Sequence, residues 1–195
     1  MYPTAPVYLA LLHYPIRDKQ DNEITTAVTN LDVHDGGRLA ATYGLSKYFI
    51  VTPLDEQQAL VNRICSHWVS GPGGKKTPTR RIAMETVCPG PSLQWAVDQI
   101  TEAHGQAPIL VGTSAQKGTT EEVSYQALRE ELHEQETPIL LVFGTGWGIA
   151  DSVQPKLDKF LPPICGPTNY NHLSVRAAMA ITLDRLLNQP TKRTS

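Results

Sequence analysis

A five-residue apolar segment near the middle of the second half of the chain runs directly into a glycine-rich turn. Residues 139–143, Ile-Leu-Leu-Val-Phe, are all apolar, which predicts a strand buried on both faces of a parallel sheet. Gly-Thr-Gly-Trp-Gly (144–148) follows, and glycines let a backbone approach a ligand closely because they carry no Cβ. Open α/β sheets bind small molecules at the carboxyl ends of their strands, so this turn is either a ligand loop or a tight connection to the next element.

Apolar runs and amphipathic segments alternate along the whole chain. Strands are predicted at 7–12, 48–51, 82–87, 109–111 and 139–143, with a short sixth strand near Ile164. Helices are predicted at 31–43 (Asn30 as N-cap, Gly44 at its end), 60–69, 93–100, 121–136 and 175–186. The alternation predicts an α/β fold with a mainly parallel five- to six-stranded sheet flanked by helices, in a single domain over residues 1–195.

Two segments depart from this pattern. Gly36 and Gly37 each cost about 1 kcal/mol relative to alanine inside a helix. Either another element packs closely against them or the helix begins later. Residues 14–30 show no stable apolar period, and a loop of that length in a compact domain is often functional.

The composition excludes several classes of protein. No apolar run approaches the roughly 20 residues of a membrane span, and the N-terminus lacks the basic region of a secretory signal. The cysteines, Cys65, Cys88 and Cys165, are three in number and form no Cys-x-x-Cys pair. We therefore expect neither a disulfide framework nor a structural metal site, and we expect a reducing, cytoplasmic environment.

One basic segment stands out against a formal net charge of −2. Lys75, Lys76, Arg80 and Arg81 place four positive charges within seven residues, beside Gly-Pro-Gly-Gly at 71–74. The segment is either a solvated loop or a loop that contacts phosphate groups.

The glycine loops do not match the common phosphate-binding motifs. No Gly-x-x-x-x-Gly-Lys-Ser/Thr is present, and the third glycine of a dinucleotide fingerprint starting at Gly144 falls on Ile149. Three segments, 112–114, 144–148 and 169–174, would instead meet at the carboxyl ends of neighbouring strands. Such a pocket of backbone groups and small hydroxyls suits an adenine with a zwitterionic amino-acid tail better than a polyphosphate.

Several motifs resemble those of SPOUT-class RNA methyltransferases, and in particular a small bacterial branch of S-adenosylmethionine (SAM)-dependent RNA methyltransferase-like proteins. They are Thr-Asn-Leu-Asp-Val-His-Asp (29–35), Phe-Gly-Thr-Gly-Trp-Gly-Ile (143–149), Leu-Pro-Pro-Ile (161–164) and Tyr-Asn-His-Leu-Ser-Val-Arg-Ala-Ala (170–178). The resemblance implies a C-terminal trefoil knot, a homodimer with a shared active site, and methyl transfer from SAM to a base nitrogen or ribose hydroxyl of tRNA or rRNA.

The resemblance also assigns residues to roles. Cofactor binding would fall to Gly112, Thr113, Gly144, Thr145, Gly146, Gly148, Ile164, Asn171, Leu173 and Ser174. The RNA-binding candidates, Lys75, Lys76, Arg80 and Arg81, follow from the charge of their segment and not from the resemblance. Arg38 matches an arginine that the class places near the transferred methyl group. Many SPOUT enzymes carry a glutamate where this chain has Thr145-Gly146, so the resemblance does not identify the methylated atom.

The polar cluster around Arg38 supports two interpretations. Methyl transfer to an amide-type nitrogen or a hydroxyl needs removal of a proton, which Asp32 or His34 could accept while Arg38 steers an RNA phosphate or the reacting group. The alternative is a helix cap with a surface ion pair. For the whole chain, the alternative to an RNA methyltransferase is a non-catalytic module that binds an adenosine-type ligand or RNA on the same scaffold, and a nicotinamide oxidoreductase comes a distant third.

Overall fold

The computed structural model describes residues 3–113 and 122–188. Within them the strands are β1 (Val7–Leu12), β2 (Ile16–Arg17), β3 (Glu23–Ile24), β4 (Lys47–Val51), β5 (Val87–Gly90), β6 (Ile109–Thr113), β7 (Ile139–Gly144) and β8 (Lys159–Leu161). The helices are α1 (Asn30–Tyr43), α2 (Asp55–Val69), α3 (Pro72–Lys76), α4 (Pro78–Glu85), α5 (Leu93–His104), α6 (Tyr125–Glu134) and α7 (Val175–Leu187). Ser114 of the predicted loop segment 112–114, and the predicted helix start at Glu121, lie outside the described residues.

Six strands form one sheet in the order β5-β4-β1-β7-β6-β8, and every pair in it is parallel. The predicted mainly parallel sheet is therefore confirmed. The chain leaves β1 toward β4 and β5 on one side, and then crosses to build β6, β7 and β8 on the other. The strand order thus reverses between β1 and β7, and doubly wound sheets bind ligands at the carboxyl ends of strands near such a reversal.

Helices cover both faces of the sheet, which explains why all six residues of β1 are buried. Leu9 and Leu11 point into a core built with α1, α2, α4, α6 and α7. Ala10 and Leu12 point into a second core, formed with α5 and the connection that holds Ile149. Both faces being apolar, the strand reads as a continuous apolar run in the sequence. None of the described helices is long and apolar enough to cross a membrane.

The predicted strand at 82–87 is wrong, because residues up to Glu85 belong to α4. Pro78 occupies the first turn of this helix, and Arg81 donates to Glu85 one turn later at 2.8 Å. The strand β5 begins only at Val87, so the prediction had assigned the end of α4 and the start of β5 to one strand. The sixth strand is Lys159–Leu161, which ends before the predicted position near Ile164.

Two predicted helix starts move by a few residues. Thr29 caps α1 in place of Asn30: its side chain accepts from the Asp32 N–H, and the Asp32 carboxylate accepts from the Thr29 N–H, which is a capping box. Gly44 ends α1 in the left-handed conformation, as predicted. Helix α6 begins at Tyr125, capped by Ser124.

Close packing explains the two glycines inside α1. A Cβ on Gly36 would overlap the ring of the fully buried Tyr48 and lie 2.7 Å from its hydroxyl oxygen. A Cβ on Gly37 would lie 2.7 Å from the Met84 methyl group and 2.9 Å from the Ala83 carbonyl oxygen. Helix α1 therefore approaches β4 and α4 at a distance that only glycine permits. The trefoil knot implied by the resemblance stays a prediction.

Candidate functional site

A cavity of about 720 Å³ lies at the carboxyl ends of β6 and β7. It is bounded by Thr113 at the end of β6, by residues 144–148 after β7, and by residues 169–175 leading into α7. The structure thus brings together the three segments that the sequence pointed to. Its volume falls within the range usual for small-molecule sites, roughly 300–1,000 Å³.

Nine of the ten residues predicted to hold a cofactor line this cavity. They are Thr113, Gly144, Thr145, Gly146, Gly148, Ile164, Asn171, Leu173 and Ser174. Gly112 is the exception, since a Cβ there would meet the Leu157 and Phe160 side chains at 2.7 and 2.8 Å. This glycine lets the connection after β7 pack against β6 and does not face the cavity.

The glycine loop after β7 is fixed to the end of β1. Gly146 and Gly148 have φ values of +55° and +107°, a region that side-chain-bearing residues rarely adopt. Between them and β7, the Thr145 N–H and hydroxyl both donate to the Leu12 carbonyl oxygen, at 3.2 and 3.0 Å. The Thr145 hydroxyl also lies 2.5 Å from the hydroxyl oxygen of Thr26. The loop is therefore shaped before any ligand binds.

Sequence reasoning missed Arg17, which also lines the cavity. It belongs to the antiparallel β2–β3 hairpin that occupies most of the irregular segment 14–30. The Arg17 N–H donates to the Gly148 carbonyl at 2.9 Å, and the Trp147 N–H donates to the Arg17 carbonyl at 3.2 Å. The hairpin thus lies directly on the glycine loop. Only the lack of an apolar period in this segment hinted at such a role.

A buried polar chain runs from the cavity loop toward α1. His13 is completely buried, and its Nδ1 lies 3.1 Å from the Thr26 hydroxyl that contacts Thr145. Its Nε2 lies 4.0 Å from Oδ2 of Asp32. Burial lowers the pKa of His13 and outweighs the opposing effects of the Asp32 carboxylate and of a hydrogen bond with Thr26. The imidazole is therefore neutral at pH 7.

The three predicted catalytic residues, Asp32, His34 and Arg38, do not line the cavity of their own chain. Asp32 is buried in the capping box described above, with Oδ1 3.8 Å from Nε of Arg176. His34 accepts a 2.8 Å hydrogen bond from Nη1 of Arg80. Arg38 is exposed on α1. Asp32 thus has the helix-cap role that was the alternative interpretation.

The environment of His34 favours its neutral form. Burial lowers the pKa of His34, and the nearby Arg80 guanidinium lowers it further. Because an arginine can only donate, Nδ1 of His34 must be unprotonated to accept from Arg80. Arg80 also lies over the Trp68 ring, with its guanidinium carbon 5.3 Å from the ring centroid.

The predicted RNA-binding segment is helical and its four charges are not equivalent. Lys75 and Lys76 are exposed at the end of α3. Arg80 is half-buried against Trp68 and His34, and Arg81 pairs with Glu85 on the same helix. The lysines are therefore better placed than the arginines to contact phosphate groups.

Three comparisons with known proteins bear on this arrangement. A family model described as SAM-dependent RNA methyltransferase matches residues 6–188. A "tRNA (guanine-N(1)-)-methyltransferase" from Nitratidesulfovibrio vulgaris is 42% identical over 186 residues, covering 95% of this chain and 43% of that protein. An uncharacterized protein from Aquifex aeolicus is 40% identical over 183 residues, covering 94% of this chain and 89% of that one.

The chain spans less than half the length of the named tRNA methyltransferase that it matches. The name of that longer protein therefore does not assign its reaction to the 186 matching residues. Among solved structures, TrmJ from Z. mobilis ZM4 superposes with a TM-score of 0.60 at 14% identity, over 95% of this chain and 70% of that chain. At that identity the superposition shows a shared fold.

Proposed function

The chain belongs to the family of SAM-dependent RNA methyltransferases, and from this premise we propose that it transfers a methyl group from SAM to tRNA or rRNA, at a base nitrogen or a ribose hydroxyl. The observation that carries the proposal is the cavity at the carboxyl edge of the sheet. Its walls combine preformed glycine backbone and small hydroxyls with apolar side chains and one arginine. These are the groups that a nucleoside joined to an amino acid requires.

The residues present fit that cofactor. Ile164 and Leu173 supply apolar contacts for the adenine, while the backbone of residues 144–148 supplies N–H and carbonyl groups for its polar edge. When bound, the sulfonium supplies a methyl group that is activated toward a nucleophile. The chain itself contributes position, shape and the exclusion of water.

Arg38 could take part in the reaction only at the cavity of a second copy of the chain. It is exposed on α1 and does not line its own cavity. We propose a homodimer in which Arg38 of one protomer completes the site of the other, with Asp32 and His34 holding the start of α1 in place. Exposed Trp147 and Leu173, 55% and 48% accessible at the cavity, provide apolar surface for such a contact.

Complementation tests this arrangement. Arg38→Ala and Gly148→Val should each be inactive alone, and mixed dimers should regain part of the activity because one intact site forms from two defective chains. Arg63→Ala, which removes an exposed arginine on α2, serves as the control and should be active alone. Unrestored activity in proven mixed dimers would show that Arg38 acts within its own protomer or has no catalytic role.

Lys75 and Lys76 are proposed to contact RNA phosphates. Replacing both by alanine should reduce the slope of log affinity against log salt by roughly 1.4–1.8, since each phosphate contact contributes roughly 0.7–0.9. Replacing the exposed Lys19 and Lys156 together removes the same charge elsewhere and should leave the slope unchanged. An equal effect of both pairs would make the attraction nonspecific.

The deciding experiment is calorimetric titration with SAM and S-adenosylhomocysteine, with NAD and ATP as controls, followed by transfer of labelled methyl groups to tRNA and rRNA fractions. We expect micromolar binding of the first pair alone and label in one RNA fraction. Binding without transfer to any fraction would favour the non-catalytic module. Absence of SAM binding would overturn the proposal.

Cys65, Cys88 and Cys165 are free thiols, which supports placing this activity in the reducing cytoplasm.

A further inference from the structure

Arg17 is the one side chain with a formal charge among the described residues that line the cavity. It is only 15% exposed, and its guanidinium lies against the glycine loop, with Nη2 3.8 Å from the point where a Cβ on Gly148 would stand. A buried cation at the wall of a cavity is costly unless an anion or an acceptor compensates it. The surroundings of Arg17 therefore bear on what the cavity binds.

The donors of Arg17 are largely unused within the described part of the chain. Its Nε is buried and has no hydrogen-bond partner there. Its Nη1 lies 3.5 Å from Oδ1 of Asp151 and 3.7 Å from Oδ1 of Asp21. Both carboxylates are about three-quarters exposed, so these long contacts are weak surface pairs. They orient the guanidinium without consuming its fork of N–H groups.

We propose that Arg17 binds the α-carboxylate of the cofactor's methionine moiety, with the two terminal nitrogens of its guanidinium donating to the two carboxylate oxygens. This inference rests on the proposed function, since it assigns one group of the proposed cofactor to one side chain. A guanidinium matches a carboxylate in this bidentate geometry, and the resulting charge-assisted hydrogen bonds are stronger than neutral ones. The carboxylate also supplies the anion that a mostly buried guanidinium needs.

The position of Arg17 favours the cofactor over an RNA phosphate. RNA-binding arginines reach out from the surface, whereas Arg17 is mostly buried and its Nε is inaccessible to solvent. Its backbone is also hydrogen-bonded to Trp147 and Gly148, in the loop that forms the cavity wall. The hairpin thus holds the guanidinium at a fixed place relative to the expected ligand, as preorganised recognition requires.

The test compares SAM with decarboxylated SAM, which keeps the sulfonium and the ammonium group but lacks the carboxylate. Calorimetry is performed on the wild type, Arg17→Met, Arg17→Lys and the control Lys19→Met, which removes an exposed charge from the same hairpin. We expect the wild type and Lys19→Met to bind SAM about 10- to 100-fold more tightly than its decarboxylated form, the range typical of a charge-assisted hydrogen bond. Arg17→Met should bind the two equally, at about the wild-type affinity for the decarboxylated form.

Each remaining outcome has a distinct meaning. Equal wild-type affinity for both compounds would overturn the assignment without any variant, and so does not depend on whether Arg17→Met folds. A similar loss for both compounds in Arg17→Met, or an intact preference, would also overturn it. Normal cofactor preference combined with weakened RNA binding would assign Arg17 to a phosphate instead. Failure of the wild type to bind SAM at all would overturn the proposed function itself.

Discussion

Replacement of Thr145 by valine tests how the cavity loop is held in shape. Valine has nearly the volume of threonine but cannot form hydrogen bonds. The change removes the 3.0 Å bond from the Thr145 hydroxyl to the Leu12 carbonyl and the 2.5 Å contact with the Thr26 hydroxyl. The Leu12 carbonyl still accepts from the Thr145 N–H, and Thr26 still contacts His13. The Leu12 carbonyl and the Thr26 hydroxyl therefore each keep a hydrogen-bond partner.

The expected loss follows from these two bonds. A typical intramolecular hydrogen bond contributes about 0.5–1.5 kcal/mol, so Thr145→Val should lower the free energy of unfolding by about 1–3 kcal/mol. Without these bonds the loop is less ordered in the unbound protein, so part of the binding free energy is used to order it when SAM binds. We expect SAM affinity to fall by up to about tenfold, equivalent to ~1.4 kcal/mol.

Urea denaturation and SAM titration measure the two effects. Thr145→Ser keeps the hydroxyl and should resemble the wild type in both. Thr26→Val also deprives buried His13 of a hydrogen-bond partner, so it should lose at least as much stability as Thr145→Val. The double variant should lose less than the sum of the two single losses, because both remove the same contact. The reasoning is refuted if the free energy of unfolding of Thr145→Val differs from that of the wild type by less than about 0.5 kcal/mol, the usual effect of a surface substitution. It is also refuted if Thr145→Ser loses as much stability as Thr145→Val.

Three further predictions concern packing, pH and thiol chemistry. Gly36→Ala should lower the free energy of unfolding by about 1–2 kcal/mol in urea titrations, because overlap with the Tyr48 ring outweighs the gain in helix propensity. The same substitution should cost less when it is made in a Tyr48→Leu variant, which lacks the ring. Burial lowers the pKa of His13 and of His34 in the folded state, so their contribution to stability is complete above about pH 6.5 and is lost as the pH falls through the lowered pKa values. Urea midpoints measured between pH 5 and 8 should fall toward acid, and more gently in His→Asn variants. Ellman's reagent should modify exposed Cys165 rapidly and the two half-buried cysteines slowly, since burial raises the pKa of both thiols.

The central strands were predictable because their signal is local. Strands β1 and β7 are buried on both faces, so their sequences are apolar throughout and need no knowledge of neighbours. Residues 78–87 lack such a signal, since Ile82 is apolar but 58% exposed on a helix. An exposed apolar residue next to buried Ala83 and Met84 imitates an apolar strand, and only the packing against α1 distinguishes the two.

The site was predictable where glycine carries the information and not elsewhere. The positive φ values of Gly146 and Gly148 require glycine, so the loop is visible in the sequence. Arg17 touches that loop across 131 positions of sequence, from a strand only two residues long, and no local pattern reports such a contact. Asp32 was ambiguous for another reason: a Thr-x-x-Asp capping box and a catalytic carboxylate look identical until the hydrogen bonds are known.

The positions of the two arginines lead to a last prediction, which separates binding from turnover. Arg17 lines the cavity of its own chain, whereas Arg38 lies outside it, so cofactor binding should need one protomer and methyl transfer two. Dilution below the dimer dissociation constant should then reduce turnover per chain while SAM affinity stays constant. Light scattering at each concentration measures the fraction of dimer. Arg38→Ala should show the same SAM affinity at every concentration, because the proposed role of Arg38 concerns methyl transfer and not cofactor binding. Turnover per chain that is independent of dilution into the monomer range would contradict the shared site and return Arg38 to a surface role on α1.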